Sequence, residues 1–256
     1  MAGRPYVLAE TTWKAVRDTD YEVAVLPWGA TEAHNYHLPY GADIIESERI
    51  AIESARLAWE DGAKVIVLPT VPFGVNTQQL DIKLTLNLNP SSQARLLEDL
   101  VRSLDGQGIP RLVILNGHGG NDFRQMVREF QPHVRIFLCT LNWYAVVPAE
   151  GYFSKSGDHA GELETSLMLH LAPDWVLPLS QAGKGSAKSF RIKALRERWA
   201  WAPRQWTEVT SDTGVGDPSL ASAEKGQRYF EAVTEKIAEF LVELAAADLS
   251  ELYDDS

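Results

Sequence analysis

Leu112-Val113-Ile114-Leu115-Asn116-Gly117-His118-Gly119-Gly120-Asn121 decides the reading of this chain: an apolar run passes directly into a glycine-rich turn that carries one histidine. A run this apolar suits a strand buried on both faces of a parallel sheet. Three more occur, at Val23-Ala24-Val25-Leu26, Val65-Ile66-Val67-Leu68 and Val134-Arg135-Ile136-Phe137-Leu138. Helical patterns lie between them. Asp43 to Ala58 carries apolar residues at helical spacing, and Ser91 can cap a helix through Leu96, Leu97, Leu100, Val101 and Leu104 that Gly106 ends. Gly120-Asn121 leads into another at Phe123, Met126, Val127 and Phe130. The alternation predicts a three-layer α/β/α fold with a mostly parallel central sheet and right-handed crossovers.

Outward from that turn, two further clusters stand out. Gly29-Ala30-Thr31-Glu32-Ala33-His34-Asn35-Tyr36-His37-Leu38-Pro39-Tyr40-Gly41-Ala42-Asp43 follows the first apolar run, and Asp158-His159-Ala160-Gly161-Glu162-Leu163-Glu164-Thr165-Ser166 opens a helical stretch. Four of the six histidines fall in these three clusters. Carboxylate oxygens with neutral imidazole nitrogens suit zinc, manganese or iron, whereas a thiolate cage needs cysteines that this chain lacks. Two of the clusters follow the carboxyl ends of expected strands, where open α/β sheets place their chemistry.

Glu32 and His34 are two residues apart, so in an extended segment both side chains point the same way. Asp43 begins the next helix and has two oxygens to bridge two ions. His118 sits where Gly117, Gly119 and Gly120 allow close approach of backbone to a metal or substrate. Glu164 is a further candidate ligand, and His159 a candidate proton donor to a leaving group. Such a set fits amide hydrolysis by a metal-activated water. Other residues have plainer roles: His37 as a hydrogen-bond partner within its loop, His133 and His170 as structural, Asn116 and Asn121 as braces of the turn, and Glu162 as a solvated carboxylate in a helix's first turn.

The chain has 256 residues, with 45% hydrophobic and 23% charged, ordinary for a globular protein. No linker-like segment interrupts it, so one domain over residues 1–256 is expected. A net charge of −11 argues against nucleic acid or an anionic membrane surface as partner. Cys139 is the only cysteine; its setting reads as buried strand, without a disulfide. With no apolar leader and no stretch near the roughly 20 apolar residues of a membrane helix, a cytoplasmic protein is expected. From Gly183 to Gly226 the pattern is irregular, with Trp199, Trp201 and Trp206 read as loop packing or subunit contact. The chain closes on an amphipathic helix with the stripe Phe230, Val233, Ile237, Phe240, Leu241 and Leu244.

Taken together, Glu-x-His…His-Leu-Pro…Asp from Glu32 to Asp43, Asn-Gly-His-Gly-Gly-Asn from Asn116, His-Ala-Gly-x-x-Glu-Thr-Ser from His159 and Gly-Asp-Pro-x-x-Ala-Ser from Gly216 resemble the creatininase family of metal-dependent amidohydrolases. The resemblance implies a Rossmann-like α/β/α fold, a dinuclear site with Glu32, Asp43 and His118 around one ion and His34 and Asp43 at the other, and a homohexamer. Creatinine-hydrolysing members carry a glutamate ligand where this chain has Gly120, and a second tryptophan where it has Ser154-Lys155-Ser156. The chain looks more like the branch with deformylases of formylated pyrimidine intermediates and the mycofactocin-precursor peptidase, in which Glu164 is the natural replacement ligand. Phe73 to Lys83 also departs from the family pattern and is expected to line the substrate pocket, as is Trp143.

The expectation is therefore a cytoplasmic, homo-oligomeric hydrolase of a non-peptide or cyclic amide C–N bond in a small molecule. It would use divalent metal, two ions per chain, with Glu32, His34, Asp43, His118 and Glu164 as ligands and His159 and Glu164 as catalytic groups. The rivals are a metal-dependent lactonase or phosphoesterase, the latter kept open by Lys184, Lys188 and Arg191, and a metal-binding module without catalysis.

Overall fold

The computed structural model describes residues 3–155 and 157–254. After a short helix α1 (Trp13–Arg17), the chain runs β1 (Val23–Trp28), α2 (Ala42–Glu60), β2 (Val65–Val67), α3 (Pro90–Gly106), β3 (Arg111–Asn116), α4 (Arg124–Phe130) and β4 (Phe137–Asn142). It continues through β5 (Gly157–His159), α5 (Glu162–Leu171), two single-turn helices α6 (Lys193–Arg196) and α7 (Trp206–Val209), β6 (Val215–Gly216) and the long α8 (Ala223–Ala246).

β1 to β4 form a parallel sheet in the order β2-β1-β3-β4. β1 and β3 are buried along their whole length, because alternate side chains serve opposite layers. Val23, Val25, Val65, Val67, Val113 and Leu115 pack with Ile50, Ala51 and Ala55 of α2 and with Tyr229, Val233, Ile237 and Leu241 of α8. Ala24, Leu26, Ile66, Leu112 and Ile114 pack on the other face with Leu97 and Val101 of α3 and Met126 and Phe130 of α4. That is the expected three-layer α/β/α arrangement.

The order places the chain's reversal of direction between β1 and β3, whose ends are in register at Trp28 and Asn116. A crevice opens at the carboxyl ends of the strands on either side of such a point. Two of the three sequence clusters leave the sheet there.

Three local expectations shift. β4 begins at Phe137, not Val134, since Arg135 lies in solvent and the pairing with β3 starts only at Arg111 and Phe137. Cys139 on that strand is half-buried rather than fully enclosed. Pro90 opens α3 after Asn89, so Ser91 lies inside the first turn instead of capping it. Pro suits that position because the first helical N–H has no partner in any case.

β5 and β6 form a separate antiparallel pair, Gly157 with Gly216 and His159 with Val215. Gly216 has φ of +148°, and a side chain there would meet the Cα atoms of Gly157 and Gly161 at 2.9 and 3.0 Å. The Gly-Asp-Pro segment thereby clamps the start of the His159 cluster onto the body of the fold. Among the described residues no helix is long and apolar enough to cross a membrane.

Candidate metal centre

Glu32 and His34 lie in the loop after β1, Asp43 in the first turn of α2, His118 in the turn after β3, His159 at the end of β5 and Glu164 in the first turn of α5. Glu32, His34, Asp43 and His118 are almost wholly buried, at 0–4% exposure. The turn after β3 is held by Asn116, whose Oδ1 accepts from the His118 backbone N–H (3.1 Å) and from Asn121 Nδ2 (2.9 Å), while its Nδ2 donates to the His118 carbonyl (2.9 Å). Asn121 in turn accepts from the Val75 N–H. Both asparagines brace the turn, as expected.

The histidines share one orientation. His34 Nδ1 lies 3.1 Å from the Glu32 carbonyl oxygen, His118 Nε2 3.1 Å from that of Val75 and His159 Nε2 2.8 Å from that of Ala33. A carbonyl only accepts, so each of these nitrogens carries the proton, and the other nitrogen of each neutral ring offers a lone pair. Those nitrogens face carboxylates: His34 Nε2 is 2.9 Å from Asp43 Oδ1, His118 Nδ1 is 3.0 Å from Asp43 Oδ2 and 3.1 Å from Glu32 Oε1, and His159 Nδ1 is 3.6 Å from Glu32 Oε1. Asp43 Oδ2 has no hydrogen-bond partner despite its burial. Lone pairs directed at anionic oxygens repel unless a cation lies between them. The donor set therefore fits divalent metal, with the backbone carbonyls in the outer role that fixes imidazole ligands.

Donor atoms within 4.8 Å of one another fall into three sets: Glu32, Asp43 and His118; His34, Asp43 and Glu164; and Glu32, His34 and His159. The first two share Asp43. The third places His159 among the candidate ligands as well.

Without an ion, protons compensate the charge. Burial pulls His34 down, but Asp43 and Glu32 outweigh it and its pKa is pushed up to about 10. His118 is raised the same way, against its burial, chiefly by Glu32. Asp43 and Glu32 are driven below the usual carboxylate range despite burial, by His34 and by His118 respectively. Burial raises Glu164, whose carboxylate also accepts from the Ala160 N–H. Ala160 has φ of +51°, which aims that N–H back at the helix's first turn.

Above the centre is a cavity of about 730 Å³, lined by Val75 and Thr77 to Gln79, by Trp143 and Tyr144, and by Trp201 to Arg204 and Trp206. Of the segment from Phe73 to Lys83, Val75 and Thr77 to Gln79 line the cavity, as does Trp143. Gln79 was not singled out by motif; it is buried and its amide donates to Glu32 Oε2, fixing the oxygen that faces away from His118. Glu46, also unforeseen, lies one turn along α2 from Asp43, fully buried with both oxygens unpartnered; burial and then Glu164 raise it well above the usual range. Its spacing from Asp43 was the available signal.

Three expectations change here. Glu162 is buried: its carboxylate accepts from the backbone N–H groups of Ser154 and Lys155 and pairs with Lys225 of α8. His37 bonds outside its loop, to Thr165 of α5 at 2.9 Å. Trp206 borders the site, its ring centroid 5.3 Å from that of His159 in a T-shaped arrangement, while Trp199 and Trp201 are largely exposed, Trp201 among the residues that line the cavity. Ser156 lies outside the described residues.

The sequence model of the creatininase family, described as creatinine amidohydrolase, matches residues 9–241. The chain belongs to the creatininase family. It is accordingly a metal-dependent hydrolase. The mycofactocin precursor peptide peptidase of Mycobacterium tuberculosis is 30% identical over 219 residues, covering 82% of this chain and 81% of that protein. A crystal structure from Bacteroides fragilis, provisionally described as a creatinine amidohydrolase, superposes with a TM-score of 0.91 at 42% identity over 96% of this chain and 98% of that one. A manganese form of creatininase shares the fold at a TM-score of 0.76 and 24% identity, over 95% and 100% of the two chains, and a zinc–zinc form of a creatininase variant does so at 0.74. In this member of the creatininase family, a side chain at Gly120 would meet the Val75 carbonyl oxygen at 2.2 Å and His118 Nε2 at 2.5 Å. The hydrogen bond that orients His118 leaves no room for a ligand there.

Proposed function

We propose that this chain hydrolyses the C–N bond of a small non-peptide or cyclic amide at a centre of two divalent ions, zinc, manganese or iron. Glu32, Asp43 and His118 would hold one ion and His34, Asp43 and Glu164 the other, with Asp43 between them. The observation that carries this reading is the common orientation of the imidazoles, each tethered outward to a backbone carbonyl with its free nitrogen on a carboxylate. Ions bound there polarise a carbonyl and make water acidic enough to attack near neutral pH.

The chain's own groups supply the rest. His159 has its Nε2–H committed to Ala33, so Nδ1 is free to take a proton from the attacking water and return it to the departing nitrogen. Gln79 keeps Glu32 from rotating away from His118. The walls at Val75, Trp143 and Trp206 limit bulk water around the reacting bond. A cavity of about 730 Å³ exceeds what one five-membered ring fills, so larger amides and short peptides belong in the substrate panel. We also infer a homo-oligomer, hexameric by family resemblance, and a cytoplasmic setting.

The test is elemental analysis of protein purified without added metal, alongside assays on amide, short peptide, lactone and phosphate-ester panels. About two ions per chain with turnover of amides supports the proposal. Turnover confined to lactones or phosphate esters moves the reaction class, and bound metal with no turnover on any panel leaves a metal-binding module. Parent protein that takes up none of the three metals overturns the site.

A further inference from the structure

We propose that Arg204 is a specificity-determining residue that grips a carboxylate on the substrate, so that the site selects amides bearing an acidic group. The proposal rests on the hydrolase reading for the bond that is cut, and on separate observations for the group that is recognised.

The Arg204 guanidinium lies over the Trp206 ring, 4.6 Å from its centroid. That ring is fixed: it is 4% exposed, its indole N–H donates to the Thr213 carbonyl at 2.9 Å, and its edge meets His159 at an interplanar angle of 89°. Arg204 and His159 therefore pack against the same fixed Trp206 ring, which serves Arg204 as a rigid platform. One of its nitrogens, Nη1, is 3.1 Å from Asp158 Oδ2; among the described residues no other acceptor engages it. A guanidinium presents five N–H groups in a planar fork, and a single ion pair leaves an edge able to bind a carboxylate by two parallel hydrogen bonds.

The charge of the surroundings gives that edge its meaning. The cavity wall includes two cations, Arg204 and Lys155, beside the carboxylates of Glu150 and Asp158 and the buried acids of the centre, and Arg204 is the one stacked on an aromatic ring. Lys155 is held through its backbone N–H by the buried Glu162, and its ammonium is only loosely paired, 3.5 Å from Asp217. A neutral group accepts a hydrogen bond from either cation, but only an anion gains the stronger charge-assisted pair. Because Arg204 and His159 both contact Trp206, an amide that carries a carboxylate would present it to Arg204 while its carbonyl lies beside His159.

Calorimetric titration of the metal-loaded protein tests this with two probes of one shape: naphthalene-2-sulfonate, an anion that ligates metal poorly, and the neutral methyl 2-naphthyl sulfone. The sulfonate is expected to bind at least about tenfold more tightly, as a charge-assisted pair warrants. In Arg204→Gln the preference should fall to within about twofold, with metal content and affinity for the neutral probe unchanged; Arg204→Lys, which keeps charge but not the fork, should lie between. Equal affinities in the parent, failure of the sulfonate to bind, or a preference that survives Arg204→Gln overturns the assignment. A sulfonate preference that depends on Arg204, in protein that turns over no amide, sinks the hydrolase reading and leaves the anion subsite standing.

Discussion

His118 Nδ1 stands 3.0 Å from Asp43 Oδ2, while the other oxygen of the same carboxylate is 2.9 Å from His34 Nε2. Asp43 thus divides its oxygens between imidazoles that come from the loops after β1 and β3. A carboxylate so placed would be common to both proposed ion positions, whereas Glu164 falls only in the donor set with His34. Asp43→Ala is expected to lose essentially all bound metal, and Glu164→Ala to keep about one ion of two. Elemental analysis of the two variants checks this; full stoichiometry and affinity in Glu164→Ala would remove that residue from the ligand set.

Metal uptake should release protons. His34, at about 10 in the ion-free protein against an ordinary 6.5, holds its proton through neutral pH, and His118 is raised as well. A pKa raised on folding stabilises the ion-free protein in full below about pH 6.5, and that stabilisation is lost as pH rises through about 10. An ion requires the neutral ring, so binding near pH 7.5 ejects protons and apparent affinity climbs with pH. Titrating metal in two buffers of different ionisation enthalpy should reveal at least about one proton released per chain. Identical heats in both buffers would mean that the imidazoles are already neutral.

What was legible in the chain follows from how local each cause is. β1 and β3 announce themselves because both faces are covered, leaving runs with no polar residue to mislead. That Glu32, His34, Asp43 and His118 converge was legible for a similar reason: the first three lie within one short segment, and His118 sits in a turn whose glycines mark close approach. Glu162 was misjudged because its partner Lys225 is 63 positions away and its sequence neighbours resemble any acidic helix start. Arg204 and Trp206 belong to a segment without periodicity, and only tertiary ties such as Asn35 to Gly183 and Thr213 return that segment to the site. No pattern along the chain encodes such a return.

Gly120→Ala tests the packing around His118. Its methyl group would enter the space between the Val75 carbonyl and His118 Nε2, and the backbone oxygen there has little freedom to move. The hydrogen bond that sets the imidazole's tilt is the first casualty. Losing such outer support typically costs about 10–100-fold in metal affinity. The expected result is that loss with an unchanged circular dichroism spectrum, and Gly120→Glu should fare worse instead of gaining a ligand or creatinine turnover. Parent-like metal affinity in Gly120→Ala would show that the Val75 contact does not hold the ring.

His159→Ala separates proton transfer from ligation. If Nδ1 handles the proton, kcat should fall by about 10²–10⁴ with both ions retained. The 3.6 Å distance to Glu32 and the nearby His34 define the opposite outcome, in which metal is lost and the residue is a ligand. Measuring metal content and kcat on the same preparation distinguishes the two, and parent-like turnover would exclude both.

Lys225 is not among the candidate ligands, yet it pairs with Glu162 of the cavity wall. Its ammonium meets the buried Glu162 carboxylate, whose other oxygen gathers the N–H groups of Ser154 and Lys155. Replacing Lys225 with alanine leaves that carboxylate buried with its backbone donors but no counter-charge. Breaking a fully buried pair costs about 3–5 kcal/mol, and because the Lys225 side chain is 28% exposed, solvent offsets part of it, so about 2–3 kcal/mol is expected. For a chain of this length that corresponds to a fall of about 5–10 °C in Tm. Lys225→Ala with Glu162→Gln should recover part of the loss, since the double variant buries no charge at this position. Differential scanning calorimetry on the two single variants and the double decides the matter: additive losses would mean that the pair is not coupled and that the segment bearing Lys155 is held by other contacts.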